Sequence, residues 1–143
     1  MTDLAREERI RLLGEVGLFR AVPVDGLAAI ADATVEVSYE AGRTVARQGE
    51  VGTGFFLVVR GKVRVVRDGR PIATIDPGGF FGELSLLDPG PRVASVVAAE
   101  PTDLLALASW DFEAILASVP SVALAVLRVV AGRHRAVTED YAS

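Results

Sequence analysis

Glu83 and Arg92 are the residues of this chain whose type and spacing could do chemistry. They stand in "GGFFGELSLLDPGPRVASVV", residues 78–97, with no histidine or cysteine nearby. A glycine turn delivers the acid. An apolar tetrapeptide and a Pro/Gly turn then deliver the base. Leu84 to Leu87 reads as one helical turn, and its first amides, including those of Leu84 and Ser85, have no intrahelical acceptor. Such amides attract anions, and Arg92 can return to the same spot with a planar fork suited to phosphate. The amides of Val93 and Ala94 would add to the cradle.

Glu83 carries the wrong sign for an anion pocket. Its use would be to accept a hydrogen bond from a hydroxyl next to the phosphate while holding Arg92 from the side. An anion with an adjacent hydroxyl describes a ribose phosphate. One arginine suits a singly charged phosphodiester better than a triphosphate, which recruits lysine and Mg²⁺. The bland alternative is a structural salt bridge between Glu83 and Arg92, capping a turn between strands. The two residues alone leave both readings open.

Other chemistries lack their parts. There is no G-x-S-x-G elbow, no H-E-x-x-H and no H-x-E with a later C-x-x-C. "QGEVGTGFF" is glycine-rich but lacks the Gly-Lys-Ser/Thr of a P-loop. His134, the one histidine, sits in an arginine-rich helix end and reads as solvent-exposed. No catalytic residue, no metal ligand set and no cofactor is expected, so the chain does not read as an enzyme. A net charge of −4 offers no footprint for nucleic acid. The absence of cysteine fits a reducing compartment. The first twenty residues carry charges throughout and lack the apolar core of a signal peptide. "SVALAVLRVVAGRHR" is broken by Arg128 and too short to span a bilayer. A cytoplasmic protein with no membrane segment is the expectation, though it could be the soluble end of something longer.

The elements that must position the pair follow from periodicity. Residues 3–14 predict a helix capped by Asp3, and "VPVDGLAAIADAT" a second with Asp25 at its cap. From Val35 the period becomes two, with a turn at Ala41-Gly42 and reversals at Arg60-Gly61 and Asp68-Gly69, both read as hairpins. "SWDFEAILASVP" predicts a helix capped by Ser109, and a long final helix follows, weakened at Gly132. Helices, then seven or eight short strands, then helices give an α+β fold: an antiparallel, jelly-roll-like β-roll with helical flanks. The expected organisation is one domain over 1–143. Residues 1–33 and 109–143 are helical, and 34–108 form the roll.

"FGELSLLDPGPRVASV" resembles the phosphate-binding cassette of cyclic nucleotide-binding domains, roughly F-G-E-[LI]-[AS]-L-[LI], a spacer, then P-R-x-[AS]-[ST]-V. Phe81, Gly82, Glu83, Leu84, Ser85, Leu86, Leu87, Pro91, Arg92, Ala94, Ser95 and Val96 fall in register. "LFRAVPVDGLAAIA" resembles the family's N-terminal helical motif, and "YEAGRTVARQGEVGTGFFLVVRGKVRVV" its first strands with turn glycines Gly42, Gly49, Gly52 and Gly61. The likeness covers nearly the whole chain.

The resemblance implies that Arg92 pairs with the cyclic phosphate, Glu83 takes the ribose 2′-hydroxyl and Gly82 lets the backbone approach the sugar. The Ser85 and Val93 amides would face phosphate oxygens. The base would lie on Val63, Ile72 and Phe81 under the last helix. Thr53 departs from the aspartate often found in the family's "G-D-x-F" turn. Members that favour cGMP often carry threonine directly after the arginine; Val93 has no hydroxyl to offer, so cAMP is expected over cGMP.

On the final helix Leu124, Leu127, Val130 and Ala131, then Arg133, His134 and Arg135, would form a lid over the base. They would equally serve as ordinary packing plus charges suited to a helix C-terminus. The implied function is a regulatory sensor that closes its C-terminal helix on the nucleotide and signals to an effector not readable here. Two copies could pair as a homodimer. About 46 residues follow the cassette strand, which leaves no room for a winged helix-turn-helix. The sensor part of a channel or kinase, or a free-standing bacterial sensor, is therefore expected. The competing reading is a scaffold of the same fold that binds no nucleotide and acts through its helices.

Overall fold

The computed structural model describes residues 4–142. In chain order these form α1 (Arg6–Gly14), a 3-10 turn (Gly17–Phe19), α2 (Val24–Ala33), β1 (Val35–Tyr39), β2 (Thr44–Ala46), β3 (Val51–Gly52) and β4 (Gly54–Arg60). Next come β5 (Val63–Arg67), β6 (Arg70–Ile75), β7 (Phe80–Phe81), a 3-10 turn (Glu83–Leu86), β8 (Gly90–Pro91) and β9 (Ser95–Ala98). The chain ends with β10 (Thr102–Ala108), α3 (Ser109–Ser118) and α4 (Pro120–Ala142). The fold is α+β. Its contacts divide into a roll, Thr34–Glu113, and a helical unit drawn from the residues before 34 and after 113.

All strand pairs in the roll are antiparallel, in sheets ordered β1-β10-β4-β7 and β2-β9-β5-β6, with β3 and β8 forming a small third ribbon. Strand β4 is rich in aromatic and β-branched residues, which suit a pleated, half-buried surface. Its Phe55, Leu57 and Val58 are fully buried. Ala46, Val58, Val63, Val96 and Leu104, drawn from both large sheets, form one core cluster.

Asp68-Gly69 is the hairpin its dipeptide predicts. Asp68 (φ 52°) and Gly69 (φ 79°) both adopt the left-handed conformation of a type I′ turn, and Arg67 pairs with Arg70 across it. Arg60-Gly61 is not a hairpin. Strand β4 pairs with β10 and β7, whereas β5 pairs with β6 and β9. Gly61 instead passes the chain from one sheet to the other. Its φ is +92°, and an added Cβ would stand 2.4 Å from the Pro101 carbonyl oxygen. Val/Ile-rich runs on both sides reflect burial in one shared interior, which pattern alone does not distinguish from direct pairing.

Helix ends differ in detail from the sequence expectation. Asp3 lies outside the described residues, and the N-cap position of α1 is Ala5. Asp25 and Ser109 lie within α2 and α3 rather than capping them. Helix α4 runs unbroken through Gly132. Among the described residues there are ten strands where seven or eight were expected, because three are two-residue pairings. No single helix among the described residues is long and apolar enough to cross a membrane; a pair bent by 112°, Ser109–Ser118 with Pro120–Thr138, passes by length and composition only.

Polar side chains of three neighbouring strands meet at Asp103 of β10. Asp103 accepts hydrogen bonds from Ser38 Oγ (2.6 Å) and Arg60 Nε (2.8 Å), its register partners on β1 and β4. The Ser38 hydroxyl and then the Arg60 guanidinium hold the carboxyl below its usual range. A depressed folded pKa adds stability above the unfolded value that is lost as pH falls through the folded one. Because the group is mostly at the surface, Asp103→Ala is expected to cost under about 1 kcal/mol at neutral pH. Urea melts of both proteins should converge in strong acid.

Candidate functional site

The cassette begins where Gly82 turns the chain out of β7. Gly82 has φ +80°, and a Cβ there would stand 2.5 Å from the Gly54 carbonyl oxygen and 3.1 Å from Arg92 Nη1. Only glycine meets both demands. The 3-10 turn that follows seals its apolar underside with Leu86, which is fully buried. The Ser85 amide, expected to be free, donates to the Gly82 carbonyl (3.1 Å). The tighter 3-10 winding closes bonds three residues apart, so it engages an amide that α-winding would leave open.

Arg92 is fixed at both ends. Its backbone N–H donates to Glu50 O (2.8 Å) and its carbonyl accepts from Gly49 N–H (2.8 Å). Its Nη2 donates to the Gly54 carbonyl (3.1 Å). Burial pulls the guanidinium pKa below its ordinary value. A partly desolvated cation of this kind gains more from an incoming anion than one in bulk water. Among the described residues no carboxylate forms an ion pair with Arg92.

Arg92 lines two cavities walled by the roll alone, one of about 340 Å³ beside the cassette and one of about 320 Å³ that it shares with Gly54, Phe55 and Phe56; the first holds the cassette residues. Gly82, Leu84, Ser85, Val93 and Ala94 line it, and Phe81 joins them from β7. Val93 is 73 % exposed. Glu83 lines an adjoining concavity of about 270 Å³ with Phe80, sharing Phe81, Gly82, Leu84 and Ser85 with the first, and its Oε2 is shielded from solvent.

Two expected base-pocket residues are not brought to the cavity. Val63 is fully buried in the core, and Ile72 is 57 % exposed on the edge strand β6. Val65 and Val96 line the cavity instead. Val65 shares a face with Val63 but lies two residues further along the strand, beyond the core cluster. Ala73 pairs with Val65, so Ile72 beside it points the other way. Alternation reveals the face; distance along the strand comes from the register. The expected lid residues Leu127, Val130, Arg133, His134 and Arg135 lie on α4 at solvent. Among the described residues no group of three His, Asp or Glu side chains could hold a metal.

Two sheets closed around a cassette that presents one arginine to an open cavity define a ligand-binding roll. The chain belongs to the cyclic nucleotide-binding domain family, whose pattern matches residues 36–119. It is 42 % identical over 68 % of its length to the cyclic AMP receptor protein of Thermus thermophilus. It is 34 % identical over 92 % to the CRP-like cAMP-activated global transcriptional regulator of Mycobacterium tuberculosis. The chain spans 47 % and 61 % of the lengths of these two relatives. Among solved structures, the N-terminal domain of a transcriptional regulator from Streptomyces coelicolor aligns with TM-score 0.84 and 36 % identity, covering 91 % of this chain and 94 % of that one.

Proposed function

We propose that this chain is a cyclic nucleotide sensor that binds cAMP in preference to cGMP and releases it unchanged. The observation that carries the reading is Arg92: part-buried, held by its backbone and by Gly54, and lining, with the cassette residues, a cavity large enough for a small ligand. The cyclic phosphate would take its place on that guanidinium. The ribose hydroxyl would reach Glu83, and the base would rest on Phe81, Val65 and Val96. The names of the two bacterial relatives, both of which refer to cyclic AMP, support the same ligand. Calorimetric titration with cAMP and cGMP side by side tests the proposal; an absence of heat with either would leave the scaffold reading.

The choice of base rests on Val93, which offers no hydroxyl to a guanine amino group. Val93→Thr should raise affinity for cGMP relative to cAMP by about 1 kcal/mol, the worth of one added hydrogen bond. An unchanged ratio of the two dissociation constants would remove the argument.

Signalling then requires α4 to fit the bound and empty states differently, closing over the base through Leu127, Val130 and the Arg133–Arg135 segment. The same helix carries Leu124 and Leu127, with Val130 and Val137, at solvent. This stripe supports pairing of two copies, which sedimentation would reveal as a dimer mass. A cytoplasmic setting accords with the cysteine-free composition.

A further inference from the structure

Gly52 stands out because its glycine is not explained by conformation. Gly42, Gly49 and Gly61 have positive φ, as suits the turn glycines that the resemblance implies. Gly52 is absent from that group: it is a buried residue of β3, paired with Gly90 of β8. Any residue could adopt its backbone angles. What it lacks is room. A Cβ built there would lie 2.9 Å from Arg92 Cζ, 3.0 Å from Arg92 Nε and 2.9 Å from Ser85 Oγ.

The backbone around it has little freedom to retreat. Val51 and Gly52 pair with Pro91 and Gly90, and Arg92 is bonded through both its N–H and its carbonyl to Glu50 and Gly49. An added methyl group would therefore be accommodated by the side-chain ends it meets, the Ser85 hydroxyl and, above all, the Arg92 guanidinium, which it meets at two atoms. The bare Cα of Gly52 forms the seat on which that guanidinium lies, and the Gly54 carbonyl holds it there at 3.1 Å.

We infer that Gly52 is a positioning residue for the anion site: the missing side chain sets where the Arg92 guanidinium points, from a strand forty residues earlier in the chain. This rests on the proposed role of Arg92, and the test keeps the two apart. In nucleotide-free protein, the Nε–H resonance of Arg92 is identified by its loss in Arg92→Ala. Gly52→Ala should shift that resonance; an unmoved resonance overturns the inference whether or not nucleotide binds.

Titration with cAMP follows. Gly52→Ala should weaken binding roughly 10- to 100-fold, as for a displacement of a binding group by about 1 Å. In the Arg92→Ala background the same substitution should change affinity less than about twofold. An equal loss in both backgrounds would mean that Gly52 acts through the fold and not through Arg92. Should Gly52→Ala fold only when Arg92 is alanine, the guanidinium is confirmed as the obstacle. Failure to fold in both backgrounds overturns the inference. A wild-type protein that ignores cAMP sinks the sensor reading, while the resonance shift still decides the role of Gly52.

Discussion

Replacement of Arg92 by alanine is expected to cost about 2–5 kcal/mol of cAMP binding, or about 30-fold to several thousand-fold in Kd. The guanidinium is part-buried and has already lost part of its hydration, the cause that pulls its pKa down. A bound phosphate therefore gains a strong charge-assisted contact without the full desolvation cost falling at the moment of binding. Arg92→Lys should recover only part of the loss, because an ammonium cannot donate to the Gly54 carbonyl and to a phosphate in the same planar geometry. Thermal melts should show that both variants stay folded, since the backbone bonds of residue 92 to Gly49 and Glu50 do not depend on its side chain. Wild-type affinity in Arg92→Ala would end the phosphate assignment.

Gly82→Ala is the second large effect. Alanine at φ +80° carries about 1–2 kcal/mol of strain. Its Cβ would also press on the Gly54 carbonyl, the group that holds Arg92. Backbone on both sides of this contact means that no side-chain rotation relieves it. The cassette must shift, and with it the Ser85 turn and the guanidinium. The expected result is a fall in melting temperature together with at least a tenfold loss of cAMP affinity, about 1.4 kcal/mol. A variant with both properties intact would show that the turn tolerates a side chain and that the close approach of β4 to the cassette is unimportant. The contrast with Gly52→Ala is informative. There the neighbours are side-chain ends, so binding should suffer more than stability.

Much of this protein is determined by its sequence alone, for reasons that are local. The change from helical period to period two at Val35 marks where the roll begins, because burial on one face of a strand requires alternation. Asp68-Gly69 specifies its hairpin through two left-handed residues. The run from Phe81 to Val96 contains its own turn residues, its helical turn and its arginine. The residues lining the cavity around Arg92 were therefore mostly readable before any fold was known.

Only the tertiary structure decided the rest, because it depends on which distant strands lie side by side. Whether Arg60-Gly61 closes a hairpin or crosses between sheets is settled by the partners β10 and β9, far along the chain. Val65 and not Val63 reaches the cavity because the register of β5 against β6 and β9 fixes how far along the strand the core ends. The seat of Arg92 comes from Gly52, placed by a two-residue ribbon that no periodicity announces, and from the Gly54 carbonyl at the head of β4. A side chain's chemistry is written at its own position; its direction is set by backbone that the chain brings back from elsewhere.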